Sequence, residues 1–325
     1  MALTADGVLE GSIVGSFTNL GYQIRSRDWD SELPELHGST AIITGATSGI
    51  GLAAAKRIAG LGARVALVGR NEQKLDTAVD EVAAGSDNGA VGYLADLSSL
   101  DEIRRLAAEL LAGEERIDVL VNNASVLAPE RTTSVDGFEL ALATNLLGTF
   151  LLTNLLIPRM VRSAPARIVT VSSGGMYTER LDIAGLEMAA EEYSGAAAYA
   201  RTKRAQVVLT ELWADHLEGT GVVAHSMHPG WVNTPGVAAS LPTFRRVMGP
   251  LLRSADQGAD TIVWLSSDGD ALGSSGEFWM DRQPRAKHRL KRTEADDAET
   301  DLLWDFLADA TGWVPPEGWP DSEAL

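Results

Sequence analysis

From Thr40 onward, short β-branched runs alternate with Ala- and Leu-rich stretches whose apolar positions recur every three or four residues. Short apolar runs bounded by turn residues read as strands buried on both faces, and the longer periodic stretches read as amphipathic helices. The pattern predicts strands over residues 41–44, 64–69, 90–94, 119–122, 167–172, 222–228 and 277–280. Helices are expected over 50–60, 72–83, 100–112, 134–162, 198–217 and 255–266. Regular strand-helix alternation predicts an α/β fold: a single Rossmann-type, doubly wound, parallel seven-stranded sheet with helices on both faces. No internal repeat is visible.

Residues 39–283 hold that domain. The leader, 1–38, places Leu9, Ile13, Phe17, Leu20 and Ile24 at helical spacing, so one apolar face packing on the core is expected. In the extension, 284–325, Leu302, Leu303, Trp304, Phe306 and Leu307 fall within two helical turns, which predicts a docked helix followed by a Trp- and Pro-rich tail.

Composition narrows the partners. The 325 residues carry 27 basic and 45 acidic side chains, a net charge of −18, and such a surface repels phosphate backbones. The densest basic run, 285–292, lies beside the acidic 294–301, so no nucleic-acid partner is expected. Zero cysteines exclude disulfides, thiolate zinc sites, iron–sulfur clusters and a cysteine nucleophile. The first ten residues do not read as a secretory signal, and no apolar stretch approaches the ~18 residues of a membrane span. A cytoplasmic location is the expectation.

Candidate chemistry begins where the first strand runs into Gly45, Thr47, Ser48, Gly49, Ile50 and Gly51 before a helix. Glycines let the backbone approach a pyrophosphate, and a helix N-terminus offers unpaired N–H groups to an anion. The second strand ends at Arg70, followed by Asn71, where many dinucleotide folds place an acid that grips the ribose hydroxyls. An arginine there suits a 2′-phosphate through its forked donors, so NADP(H) is expected over NAD(H), with Ser48 as a second donor. Tyr199 and Lys203 lie one helical turn apart, and a neighbouring ammonium would favour the phenolate of a tyrosine whose ordinary pKa is near 10. Ser172 and Ser173 end a strand at the carboxyl edge of the expected sheet, and either hydroxyl would face the crevice. His225 and His228 lack a third ligand at a recognisable spacing, so no metal is expected, and the Gly-x-Ser-x-Gly elbow of a hydrolase is absent.

With Asp96-Leu97, Asn122-Asn123-Ala124, Asn145 and Pro229-Gly230 through Val232 to Thr234 in the same order, the chain resembles the short-chain dehydrogenase/reductase superfamily over most of residues 40–280. The stretches 171–177, 199–214, 226–237, 253–265 and 281–288 look like its dehydrogenase/reductase member 12-like group. The resemblance implies that Tyr199 exchanges a proton with the substrate oxygen while Lys203 lowers its pKa and bonds the nicotinamide ribose. It implies that Ser173 hydrogen-bonds the substrate oxygen and that Asn145 holds a water linking Lys203 to a proton relay. Asp96 would bond the adenine, Asn123 and Ala124 would line the ribose, and Pro229, Gly230, Val232 and Thr234 would orient the nicotinamide.

Two departures stand out: Ser125 replaces the usual glycine, and Tyr199 follows Ser173 by 26 positions, about twice the common interval. The extra stretch, 174–198, is expected to loop over the substrate mouth, with Met176, Tyr177, Leu181, Trp231 and Leu241 giving an apolar pocket. The resulting expectation is an NADP(H)-dependent enzyme interconverting an alcohol and a ketone or aldehyde. A dinucleotide-binding sensor or scaffold without turnover is the alternative. The resemblance also implies a homodimer or homotetramer paired through the helices at 134–162 and 198–217, unless the added termini cover those faces.

Overall fold

Three short helices, α1 (Ala5–Glu10), α2 (Ile13–Phe17) and α3 (Asn19–Arg25), occupy the leader in the computed structural model, which describes residues 5–29, 32–86, 88–294 and 297–320. The single apolar face expected there does not form. Ser12 caps α2 by accepting from Gly15 N, and extended Thr18 separates α2 from α3. Each break turns the stripe, so Phe17 is buried while Ile13 and Leu20 stay about half exposed.

The core follows as β1 (Thr40–Thr44), α4 (Gly49–Gly60), β2 (Arg64–Gly69), α5 (Glu72–Ala83), β3 (Ala90–Leu94), α6 (Leu100–Gly113) and β4 (Val119–Asn122). Then come α7 (Gly148–Ser163), β5 (Ala166–Val171), α8 (Gly195–His216), β6 (Val222–Met227), α9 (Pro235–Ser240), α10 (Pro242–Met248) and α11 (Ala255–Ser267). The chain closes with β7 (Phe278–Met280), β8 (Gln283–Pro284) and α12 (Asp297–Thr311). The sheet order is β3-β2-β1-β4-β5-β6-β7-β8, parallel except for β8. Alternate residues of a strand face opposite layers. Ile42 packs with α6, α7 and α8, whereas Ala41 and Ile43 pack with α4, α5 and α11. The order reverses between β1 and β4, and in such sheets ligands bind beyond the carboxyl ends of the strands at that point.

Eight strands stand where seven were expected. The added β8 is a hairpin partner of β7, closed by Asp281 and Arg282 with φ of 55° and 54°. Two positive φ values suit a tight hairpin, but Asp-Arg lacks the Asn-Gly signature that announces one. The helix expected over 134–162 also starts later. Thr133 bridges Glu139, and the Glu139 carboxylate accepts from Ala141 N and Leu142 N, both at 2.9 Å. A π-helical turn, Leu142–Leu147, then leads into α7.

The expected loop over the mouth is likewise corrected. Met176, Tyr177, Leu181, Leu186 and Met188 are all buried, the first two against Phe17, Phe278 and Met280. Residues 174–194 thus fold inward onto the core. As expected, the C-terminal helix docks, with Leu303 and Leu307 buried. Trp304 meets Phe150 of α7 and His216 of α8, so α12 covers part of the face that the resemblance assigns to subunit pairing. No helix among the described residues is long and apolar enough to cross a membrane.

Candidate active site

At the β1–β4 switch point, Gly45, Thr47, Ser48, Gly49, Ile50 and Gly51 line a cleft of about 320 Å³ with Arg70, Asp96, Leu97, Asn123, Ala124 and Thr234. The glycines are required by space. Gly45 has φ +65°, and a Cβ on it would lie 2.8 Å from Ala124 Cα. A Cβ on Gly51 would lie 2.5 Å from both Asn123 Nδ2 and Gly45 O. Asn123 fixes this turn by donating to Thr44 O (2.8 Å) and Gly45 O (3.2 Å). Thr44 Oγ1 returns the tie, accepting from Asn123 N and Ala124 N, each at 3.0 Å.

These glycines leave a concave backbone surface at the N-terminus of α4, shaped for a pyrophosphate. Ser48, at the N-cap of α4, makes no side-chain cap bond. Arg70 is 61% exposed at the cleft edge and meets Asp96 only at 3.8 Å. Asp96 Oδ1 accepts from Ser98 N and Oγ, which fixes the carboxylate. Asn71 lies outside the lining. Its side chain accepts from Lys74 N and caps α5.

A second pocket of about 370 Å³ shares Ile50, Asn123, Ser125, Thr234 and Gly236 with the cleft. Ser172, Ser173, Tyr199, Lys203, Pro229, Gly230 and Val232 all reach it. The two serines separate by geometry: Ser172 Oγ donates to Lys203 O (2.8 Å), whereas the Ser173 hydroxyl engages the Tyr199 phenol. Ser125 engages that phenol as well. The departure from glycine thereby becomes a second hydroxyl beside Tyr199, a neighbour that sequence order alone did not reveal. The pocket wall is apolar: Trp231 and Leu241 line it as expected, with Phe244 beside them. Met176, Tyr177 and Leu181 were also expected here and are instead buried in the core. The rings of Trp231 and Phe244 meet edge to face at 5.3 Å.

Burial raises the Tyr199 pKa above its ordinary value, and the Ser173 and Ser125 hydroxyls oppose that rise. Lys203 is itself 1% exposed, and burial draws its pKa down to about 7. Its ammonium lies 5.4 Å from the Tyr199 ring centre and donates to Val171 O (2.8 Å) and Gln206 Oε1 (2.9 Å).

Asn145 does not reach either pocket. Its side chain is spent on Val126 N, Val126 O and Thr202 Oγ1, and its carbonyl accepts from Gln206 Nε2 (2.5 Å). The Gln206 amide therefore joins Lys203 to Asn145. The signal for it was positional: Gln206 is three residues beyond Lys203 on one helix, hence its neighbour.

Elsewhere, His225 is bonded to Ala271 O and Trp279 Nε1, and His228 Nδ1 accepts from Gly174 N. No group of three or more His, Asp or Glu side chains among the described residues is placed to hold a metal ion.

This fold and this pair of joined pockets define a dinucleotide-dependent oxidoreductase. The chain belongs to the short chain dehydrogenase family, whose model matches residues 39–243. It is similar to dehydrogenase/reductase SDR family member 12 of Bos taurus, at 38% identity over 296 residues, covering 90% of this chain and 92% of that protein. Retinol dehydrogenase 14 of Mus musculus is 36% identical over 291 residues, covering 83% of this chain and 85% of that one. A structure from Beutenbergia cavernae, assigned as an NAD(P)-dependent gluconate 5-dehydrogenase with NADP bound at low occupancy, superposes with a TM-score of 0.64 at 30% identity. That match covers 76% of this chain and 96% of the other. The family acts on small-molecule alcohols and carbonyls with a nicotinamide dinucleotide.

Proposed function

We propose that the protein is an NADP(H)-dependent oxidoreductase that interconverts an apolar alcohol with its ketone or aldehyde. The observation that carries this reading is the meeting of Ser173 and Tyr199 in a pocket continuous with the glycine-lined cleft. When bound, the nicotinamide supplies or accepts the hydride. Tyr199 gives its phenolic proton to the substrate oxygen in reduction and takes it back in oxidation. The phenol is protonated at neutral pH, and the Ser173 and Ser125 hydroxyls counter the rise in its pKa that burial imposes. Ser173 donates to the same oxygen, so two aligned donors meet the negative charge that grows there in the transition state. Arg70 takes the 2′-phosphate, and its exposure at the cleft edge leaves the guanidinium available for one. Trp231, Leu241 and Phe244 favour an apolar or aromatic substrate over a sugar.

Calorimetric titration with NADPH and NADH tests the cofactor reading without a substrate. Binding of NADPH at least tenfold tighter than NADH is expected. NADPH consumption in the presence of benzil, an apolar aromatic diketone, then tests turnover. Binding of neither dinucleotide by folded protein overturns the enzyme reading in favour of a binding or structural role.

A further inference from the structure

Among the described residues, the polar side chain that touches both Lys203 and Asn145 is that of Gln206, which is fully buried. Its orientation is dictated by its partners. Asn145 O can only accept, so the amide nitrogen must face it, and the ammonium can only donate, so the amide oxygen must face Lys203. Asn145 O also accepts from Thr149 Oγ1 at 2.8 Å. The Gln206 oxygen is therefore a fixed acceptor for the Lys203 ammonium.

The surroundings of the ammonium leave that acceptor much of the control. Val171 of β5 and Ser172 at its end offer neutral groups, the turn before α7 offers the neutral Asn145, and Tyr199 lies on the same helix. No carboxylate or guanidinium among the described residues acts on Lys203.

We propose that Gln206 is a positioning residue for the reaction, which holds the Lys203 ammonium at the floor of the pocket and sets how readily it stays charged. The inference rests on the oxidoreductase reading, in which a charged Lys203 beside Tyr199 is needed for turnover. Activity then falls as pH rises and Lys203 loses its proton. Gln206→Leu removes one of two acceptors and moves that fall to lower pH. Gln206→Glu puts a carboxylate beside the ammonium and moves it to higher pH, by about one pH unit or more. Gln206→Asn, which keeps the amide chemistry, stays closer to wild type than either.

The test measures kcat/KM for NADPH-dependent benzil reduction against pH in the three full-length variants, with urea unfolding over the same pH range. Opposite displacement of the rate profile by the Leu and Glu variants is expected, with unfolding curves displaced in the same two senses. Rate profiles that coincide with wild type, whatever happens to stability, reduce Gln206 to a packing residue and overturn the proposal. If wild-type protein binds no dinucleotide and reduces nothing, the oxidoreductase reading itself fails. The unfolding arm still decides whether Gln206 governs Lys203: coincident pH dependences there overturn the hold as well.

Discussion

Lys203→Met should stabilise the folded protein at neutral pH while eliminating turnover. A lysine held near pKa 7 instead of its ordinary 10.5 carries a burial penalty of at most about 5 kcal/mol when charged, at ~1.4 kcal/mol per pH unit. Methionine removes that penalty and fills similar space. It also strands Val171 O and Gln206 Oε1 without their donor, at about 1 kcal/mol each. A net gain of about 2–3 kcal/mol follows near pH 7.

The sign depends on pH. Because the folded pKa lies below the unfolded one, the penalty is complete below pH 7 and fades as pH rises toward 10.5. The hydrogen-bond loss does not fade. The variant should therefore be more stable than wild type below about pH 9 and less stable above it. Urea unfolding followed by tryptophan fluorescence from pH 6 to 10.5 reads this directly. A variant destabilised at pH 6, or a difference independent of pH, would refute the assignment of Lys203 as an uncompensated buried cation. Retaining a group that weakens the fold makes sense where function needs it.

Tyr199→Phe should lower kcat by about 10²–10⁴ with dinucleotide affinity nearly unchanged, and wild-type rates from it would remove the phenol from the reaction. Arg70→Asp should weaken NADPH far more than NADH in calorimetry, whereas equal losses would take Arg70 out of the 2′-phosphate site. Asp281→Ala should cost about 3–5 kcal/mol in urea unfolding, because it leaves Arg25 and Arg253 buried without their shared carboxylate. Burial alone would raise the Asp281 pKa, but Arg253 and Arg25 outweigh it and hold the carboxyl below 3.8. That contribution to wild-type stability is thus complete at neutral pH and lost as pH falls below the ordinary carboxylate range.

The central strands were legible because strands buried on both faces are largely apolar, and the glycine turn because its spacing abuts a strand and a helix. What escaped depended on partners distant in sequence. Met176, Tyr177 and Leu181 look alike whether they line a pocket or fill a core, and only the arrival of Phe17, Phe278 and Met280 decides between the two. The leader's spacing is helical, but Ser12 caps α2 and extended Thr18 parts α2 from α3, and neither break shows in the apolar spacing. Gln206 was overlooked for a related reason. A glutamine on a helix is usually solvated, and its burial follows from α8 having its neighbours on both sides.

The Pro229–Trp231 wall of the second pocket is braced by segments beyond the part of the chain that matches the family model, residues 39–243. Arg253 donates to Asp281 twice and to the carbonyls of Ser16, Thr18 and Pro229. Arg25 reaches Asp281 from the leader, and Trp231 N donates to Phe17 O at 2.8 Å. Gly230 must be glycine at this junction, because it has φ +80° and a Cβ on it would lie 2.3 Å from Arg253 Nε. Leader, final hairpin and the loop carrying Pro229, Gly230 and Trp231 are thus one hydrogen-bonded unit. A left-handed Asp281 is tolerated at its centre because the two arginines fix the carboxylate that the turn presents. Disturbing that carboxylate therefore reaches the pocket wall at Trp231 as well as the stability of the fold.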